Sequence, residues 1–130
     1  MHITKLTVRS YELDSLGHVN HAVYLNWLEH ARMRMLDDMG LPLDELFRRQ
    51  WRPAVVHIEV DYRSEARAGQ ALRIESEMGK SGRTSVTVSQ RILADADDRL
   101  VAEASIVAVF VGRDGKPIPV PEPFRAVQAS

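Results

Sequence analysis

Tyr11-Glu12-Leu13-Asp14-Ser15-Leu16-Gly17-His18-Val19-Asn20-His21-Ala22-Val23-Tyr24-Leu25-Asn26-Trp27-Leu28-Glu29-His30-Ala31-Arg32 is a polar loop that runs straight into an apolar segment. Downstream, Tyr24, Leu25, Leu28, Ala31, Met35, Leu36 and Met39 recur at helical spacing, and Gly40 followed by Pro42 stops the pattern. The spacing predicts one helix from about Ala22 to Met39. At about 1.5 Å per residue it is roughly 27 Å long, enough to cross a small sheet. Val23, Trp27 and Met33 lie outside the main stripe, so the helix is apolar around much of its circumference and should be enclosed by other structure.

Outside that helix the period is two. Residues 3 to 9 form a first strand with Leu6 and Val8 on one face, and a short helical segment near Leu43 to Arg49 follows the long helix. Ala54, Val56, Ile58, Val60 and Tyr62 alternate with Val55, His57, Glu59, Asp61 and Arg63, which reads as a strand with one buried face. Leu72, Ile74 and Met78, then Val86, Val88 and Ile92 across Gly79-Lys80-Ser81-Gly82, give a hairpin. Leu100 to Val111 is apolar on both faces, so it belongs at the centre of the sheet or at a subunit contact, before a tail with Pro117, Pro119 and Pro121. One long helix and about five mostly antiparallel strands make an α+β domain whose sheet wraps the helix. No repeat or low-complexity linker divides the 130 residues, so residues 1 to 130 read as one domain.

Composition narrows the chemistry. Seventeen Lys and Arg against 18 Asp and Glu leave no global basic field for nucleic acid. The absence of cysteine excludes a disulfide scaffold, a thiolate nucleophile and cysteine-based zinc sites. The N-terminus lacks a signal-peptide core and no stretch approaches the roughly 18 apolar residues of a membrane span, so a cytoplasmic protein is expected. Gly79-Lys80-Ser81 resembles the end of a phosphate-binding loop, but Ile74 stands where its upstream glycine is required. His18 and His21 have no His-Glu-x-x-His or carboxylate cluster around them, so no metal is expected. No Gly-x-Ser-x-Gly elbow supplies a serine nucleophile.

Carboxylate chemistry remains. Asp14 stands just before a helix start, where it reads either as the acceptor of a turn through Ser15, Leu16 and Gly17 or as a reactive acid beside backbone N–H groups that polarise a carbonyl. Gly17 permits close backbone approach, and Asn20 is placed to cap a helix that begins at His21 or Ala22. Arg32 projects between Leu25 and Leu28, where an unpaired charge is costly; Glu29, three residues earlier, is its expected ion-pair partner, fixing the helix or joining the site.

Tyr11-x-x-Asp14-x-x-Gly17-His18-Val19-Asn20-His21-x-x-Tyr24-x-x-Trp27-x-Glu29-x-Ala31-Arg32 resembles the signature of hot-dog-fold acyl-CoA thioesterases of the 4-hydroxybenzoyl-CoA thioesterase class. Within that class it is most similar to the long-chain acyl-CoA branch, and the order of strand, helix and four strands fits as well. The resemblance implies a hot-dog fold and hydrolysis of an acyl-CoA to free acid and coenzyme A. It makes Asp14 the catalytic nucleophile or general base and the His21 backbone N–H the carbonyl-polarising donor. Gly17, Val19 and Tyr24 become substrate-binding candidates, as do Arg83 and Ser85 at positions that contact coenzyme phosphates, with Lys80 nearby. It further implies a homodimer or homotetramer whose sheets join edge to edge, and no cofactor beyond the coenzyme A of the substrate. Leu16 departs from the plant-type arrangement, where a catalytic Asn stands at this position, and leaves His18 as a loop residue. Acyl-carrier-protein or aromatic thioesters remain alternative substrates, and a non-catalytic acyl-CoA-binding module is the alternative from a different class. A hot-dog hydratase is disfavoured, because Asp14 and His18 have the wrong spacing.

Overall fold

In the computed structural model, which describes residues 1–125, five strands form one sheet in the order β1-β3-β4-β5-β2. β1 is His2–Thr7, β2 Arg52–Tyr62, β3 Ala71–Ser81, β4 Ser85–Ala94 and β5 Leu100–Val111, and every pairing is antiparallel. Helix α1 spans His21–Asp38, α2 Leu43–Arg48 and α3 Glu122–Arg125. This is the α+β hot-dog arrangement, with α1 held against the sheet and approaching it most closely at β1 and β3.

Both ends of α1 are fixed by its sequence. Asn20 caps the start, its side-chain oxygen accepting from the Ala22 N–H at 2.9 Å. At the other end Gly40 adopts φ +77°, which only glycine adopts without strain. The Gly40 N–H donates to the Asp37 carbonyl at 3.0 Å and the Leu41 N–H to the Leu36 carbonyl at 2.9 Å, a Schellman closure sealed by contact of Leu36 and Leu41 within one core cluster.

The core has two centres along the helix. Around its first half, Tyr24, Trp27, Leu28 and Ala31 meet Val8, Leu72, Ile74 and Ile92. Around its second half, Met35 and Leu36 meet Met78, Val86, Phe110 and Phe124. The proline-containing tail is part of the second: the Ile118 N–H bonds the Phe110 carbonyl, and the rings of Phe110 and Phe124 lie 4.7 Å apart. A buried polar link ties helix to sheet between them. Gln90, 1% exposed, donates to the Leu28 carbonyl and to Ser76 Oγ, both at 2.9 Å.

Three expectations from the pattern need correction. Trp27 is buried and Leu25 is 38% exposed, so α1 keeps an open face rather than being enclosed all round. In β2 the alternation breaks, because the register shifts between Val55 and His57 and leaves Val56 as an extra residue. The bulge puts Val55, not Ala54 or Val56, on the face shared by Ile58, Val60 and Tyr62, and Val56 is 60% exposed. The Glu29–Arg32 ion pair does not form: Arg32 Nη1 donates to Gln90 Oε1 at 3.0 Å instead. Gln90 lies opposite that face of the helix and offers a fixed acceptor, which the helix pattern alone does not reveal.

Candidate active site

The loop before α1 closes on itself. The Asp14 N–H donates to the His18 carbonyl at 2.7 Å, Leu13 and Val19 form a bridge, and Gly17 turns the chain at φ +81°. Asp14 Oδ1 accepts from the Leu16 N–H at 2.9 Å and the His18 N–H at 3.1 Å. Those backbone bonds hold the Asp14 carboxyl below its ordinary value of 3.8. The turn-acceptor reading of Asp14 is therefore realised, and it uses one oxygen only. Oδ2 has no hydrogen-bond partner among the described residues and the side chain is exposed, so the loop presents an oriented, ionised carboxylate oxygen to the outside.

His21 begins α1, and among the described residues its backbone N–H has no acceptor. An N–H at a helix start carries the positive end of the helix dipole and suits an anionic or polarised oxygen. The His21 carbonyl is fastened by the Tyr62 hydroxyl, which donates to it at 2.9 Å.

Beneath the loop lies a group that sequence reasoning passed over. Glu12 is 7% exposed and accepts from the Arg9 N–H, from Arg9 Nε and Nη2, and from Trp27 Nε1 at 2.6 Å. Burial pushes its carboxyl up, but the bonds from the Arg9 side chain and backbone and from Trp27 outweigh it and hold the group below its ordinary 4.5. The Asn20 N–H also donates to the Glu12 carbonyl at 3.1 Å. Glu12 thus clamps both ends of the Asp14 loop to the helix. The readable signal was Arg9 and Glu12 three apart, with a helical Trp27 whose indole N–H needs an acceptor once buried.

The other predicted residues separate. Val19 is 7% exposed and sits in the core. Tyr24 is also core, edge-on to Trp27 and to Tyr62 at 5.1 Å each, and not an open wall for a ligand. His18 is exposed and 3.4 Å from Glu65. Arg83 lies in the turn from β3 to β4 and Ser85 opens β4. β3 leads away from the Asp14 end of the sheet over 11 residues, about 34 Å, so a single chain does not bring Asp14 and Arg83 together. No group of three or more His, Cys, Asp or Glu among the described residues is placed to hold a metal ion.

Residues 8–128 match the family model described as the thioesterase-like superfamily. The chain belongs to that superfamily. Among curated relatives, the long-chain acyl-CoA thioesterase FadM of Escherichia coli is 35% identical over 83% of this chain and 81% of its own. The chloroplastic acyl-acyl carrier protein thioesterase ATL3 of Arabidopsis thaliana is 27% identical over 96% of this chain, which spans 66% of that relative's length. Among solved structures, the probable thioesterase YbaW of Escherichia coli superposes with a TM-score of 0.84 at 28% identity, covering 98% of this chain and 96% of its own. A 1,4-dihydroxy-2-naphthoyl-CoA thioesterase from Synechocystis superposes with a TM-score of 0.89 at 18% identity, covering 99% and 96%, and speaks for the hot-dog fold.

Proposed function

We infer that this thioesterase-like chain hydrolyses acyl-CoA thioesters, with Asp14 as its catalytic carboxylate and the His21 N–H as the donor to the thioester oxygen. The single observation that carries this reading is the Asp14 carboxylate, oriented through Oδ1 by two backbone N–H groups with Oδ2 open, seven residues before an unpaired helix-start amide. A thioester has weak resonance and a good leaving group, so these two elements suffice and the reaction asks for no cofactor. Losing an oxyanion donor typically costs about 3–4 kcal/mol in the transition state.

A general base works best with a pKa near the operating pH, and the Asp14 carboxyl is held well below it. That favours direct attack. Oδ2 bonds to the thioester carbon and coenzyme A leaves as the thiolate; water then adds to the Asp14 carboxyl carbon of the resulting anhydride, so the acid leaves with the former Oδ2, the water oxygen stays in the restored carboxylate, and the two water protons pass to the thiolate and to solvent. One carboxylate oxygen of Asp14 carries ¹⁸O after a single turnover in labelled water if this is right, and neither does if Asp14 only activates water.

Placement of Arg83, Ser85 and Lys80 on coenzyme phosphates requires a second copy, since one chain keeps them remote from Asp14. β2 is the place for that copy. It is an 11-residue edge strand with Val55, Val56 and Ile58 exposed, the kind of edge that invites pairing with an identical strand. We assign the assembly as a homodimer joined there, or a tetramer of such dimers. No helix is long and apolar enough to cross a membrane among the described residues, and a cytoplasmic location fits a coenzyme A ester as substrate. Thiol release from a panel of acyl-CoA and acyl-carrier-protein esters tests the reading; turnover of the former supports it, whereas binding without release would make the chain a binding module.

A further inference from the structure

The segment that ends β2 and turns toward β3 touches both halves of the proposed site. On the helix side, the Tyr62 hydroxyl donates to the His21 carbonyl at 2.9 Å. On the loop side, Glu65 Oε1 lies 3.4 Å from His18 Nε2, and the His18 N–H is one of the two donors that orient Asp14. The segment is itself tied down. The Arg63 and Ser64 N–H groups both donate to the Val101 carbonyl, Ser64 Oγ donates to the Leu100 carbonyl at 2.7 Å, and Arg99 Nη1 donates to the Glu65 carbonyl at 3.0 Å.

The Tyr62 ring adds a second connection. It meets the Tyr24 ring edge-on at 5.1 Å, Tyr24 meets Trp27 in the same way at 5.1 Å, and Trp27 Nε1 donates to Glu12, the group that clamps the Asp14 loop. Three rings in a favoured edge-on arrangement therefore run from the strand end to the support beneath the carboxylate. The Tyr62 hydroxyl closes that path onto the start of α1.

A carbonyl in the first turn of a helix already accepts from the amide four residues on, here Leu25, so Tyr62 is a second donor that the helix itself does not need. Tyr62 is 48% exposed, and water would satisfy its hydroxyl without that bond, so the bond adds little to folding. What it fixes is direction. Helix ends fray, and this first turn carries the unpaired His21 N–H. Asn20 restrains the turn from the loop side, through the Ala22 N–H, and Tyr62 from the strand side.

Resting on the thioesterase reading above, we propose that Tyr62 is a positioning residue for the reaction: its hydroxyl holds the first turn of α1 so that the His21 N–H meets the thioester oxygen as charge develops on it. Tyr62 acts through His21 and not on the ester. A displacement of about 1 Å at a reacting centre can cost about 100-fold in rate, so loss of this hold appears in kcat before it appears in KM or in stability.

The experiment compares wild type with Tyr62→Phe, which keeps the stacked ring and deletes one hydroxyl. The substrate is whichever of octanoyl-, palmitoyl- and benzoyl-CoA wild type hydrolyses best. In the variant kcat should fall about tenfold or more with KM within about twofold, at an unchanged unfolding midpoint and sedimentation coefficient. Hydrogen exchange at the Leu25 amide, which shares the His21 carbonyl, should quicken about fivefold or more as the first turn loosens. An unchanged kcat overturns the proposal. So does a raised KM at constant kcat, which would put Tyr62 on the substrate, and so does a loss of kcat that follows a lower midpoint or a shift to monomer, the mark of a purely structural tyrosine. If wild type releases thiol from none of the esters, the thioesterase reading fails by itself. The Leu25 amide then decides whether Tyr62 holds the helix start: quickened exchange supports it and an unchanged rate overturns it.

Discussion

Asp14 and Glu12 are two carboxylates two residues apart with opposite assignments, and their surroundings separate them. Asp14 is exposed with one oxygen free, while every bond the Glu12 carboxylate accepts comes from Arg9 or Trp27. The Asp14 carboxyl lies below 3.8, so its charged form persists through the whole neutral and mildly acidic range. Hydrolysis should therefore stay level as pH falls toward 4 and decline only below the ordinary aspartate value, which a pH profile of kcat/KM reads directly. Glu12 works on stability. Its folded-state pKa is depressed below 4.5, so the stabilisation is present above 4.5 and is lost as pH falls through the lower folded-state value. Glu12→Gln should destabilise by about 1–3 kcal/mol in denaturant titration and loosen the Asp14 loop; an unchanged midpoint would remove the clamp from the account. Asp14 was legible in the sequence because its offset from the helix start is a local property. Glu12 was not, since its partner Trp27 lies 15 residues on and meets it only after folding.

At the scale of elements, α1 was readable almost to the residue because cap, stripe and stop are all local: Asn20, the apolar spacing, and Gly40. Gly40→Ala should cost about 1–2 kcal/mol, since the methyl group finds open space but the left-handed backbone is strained for an L side chain. Thermal or chemical unfolding checks that value. β2 was readable as a strand but not in its facing. A single extra residue at Val56 inverts the alternation, and nothing in a run of Val, Val, His, Ile announces which one bulges. Deleting Val56 should turn Val55 and Pro53 away from the cavity they wall with Leu36 and Phe47 and destabilise the fold by about 1–3 kcal/mol, which denaturant titration reads. The misplaced Glu29–Arg32 pair has the same origin as the misread facing. Both depend on what the sheet presents to the helix, and Gln90 lies 58 residues from Arg32.

Over the whole molecule, the strand count and the antiparallel pairing followed from period changes and turn residues and the hot-dog fold from the resemblance carried by Tyr11 to Arg32, whereas the separation of Asp14 from Arg83 followed from neither. Sequence motifs list residues without saying which end of a sheet each occupies. Bringing the two together takes the second subunit proposed above. If two chains join along β2, Val56→Lys places like charges on the shared edge and should shift sedimentation from dimer to monomer, with activity falling in step. A monomer that retains full activity would show that one chain holds the complete site. The claim on which all of this turns is that the Asp14 carboxylate drives thioester hydrolysis at the start of α1. Its most direct test is steady-state thiol release from an acyl-CoA by Asp14→Asn beside wild type, with the fold checked by circular dichroism. The account predicts a loss of roughly 10²–10⁴-fold in kcat with the fold intact; undiminished turnover by the folded variant would contradict it.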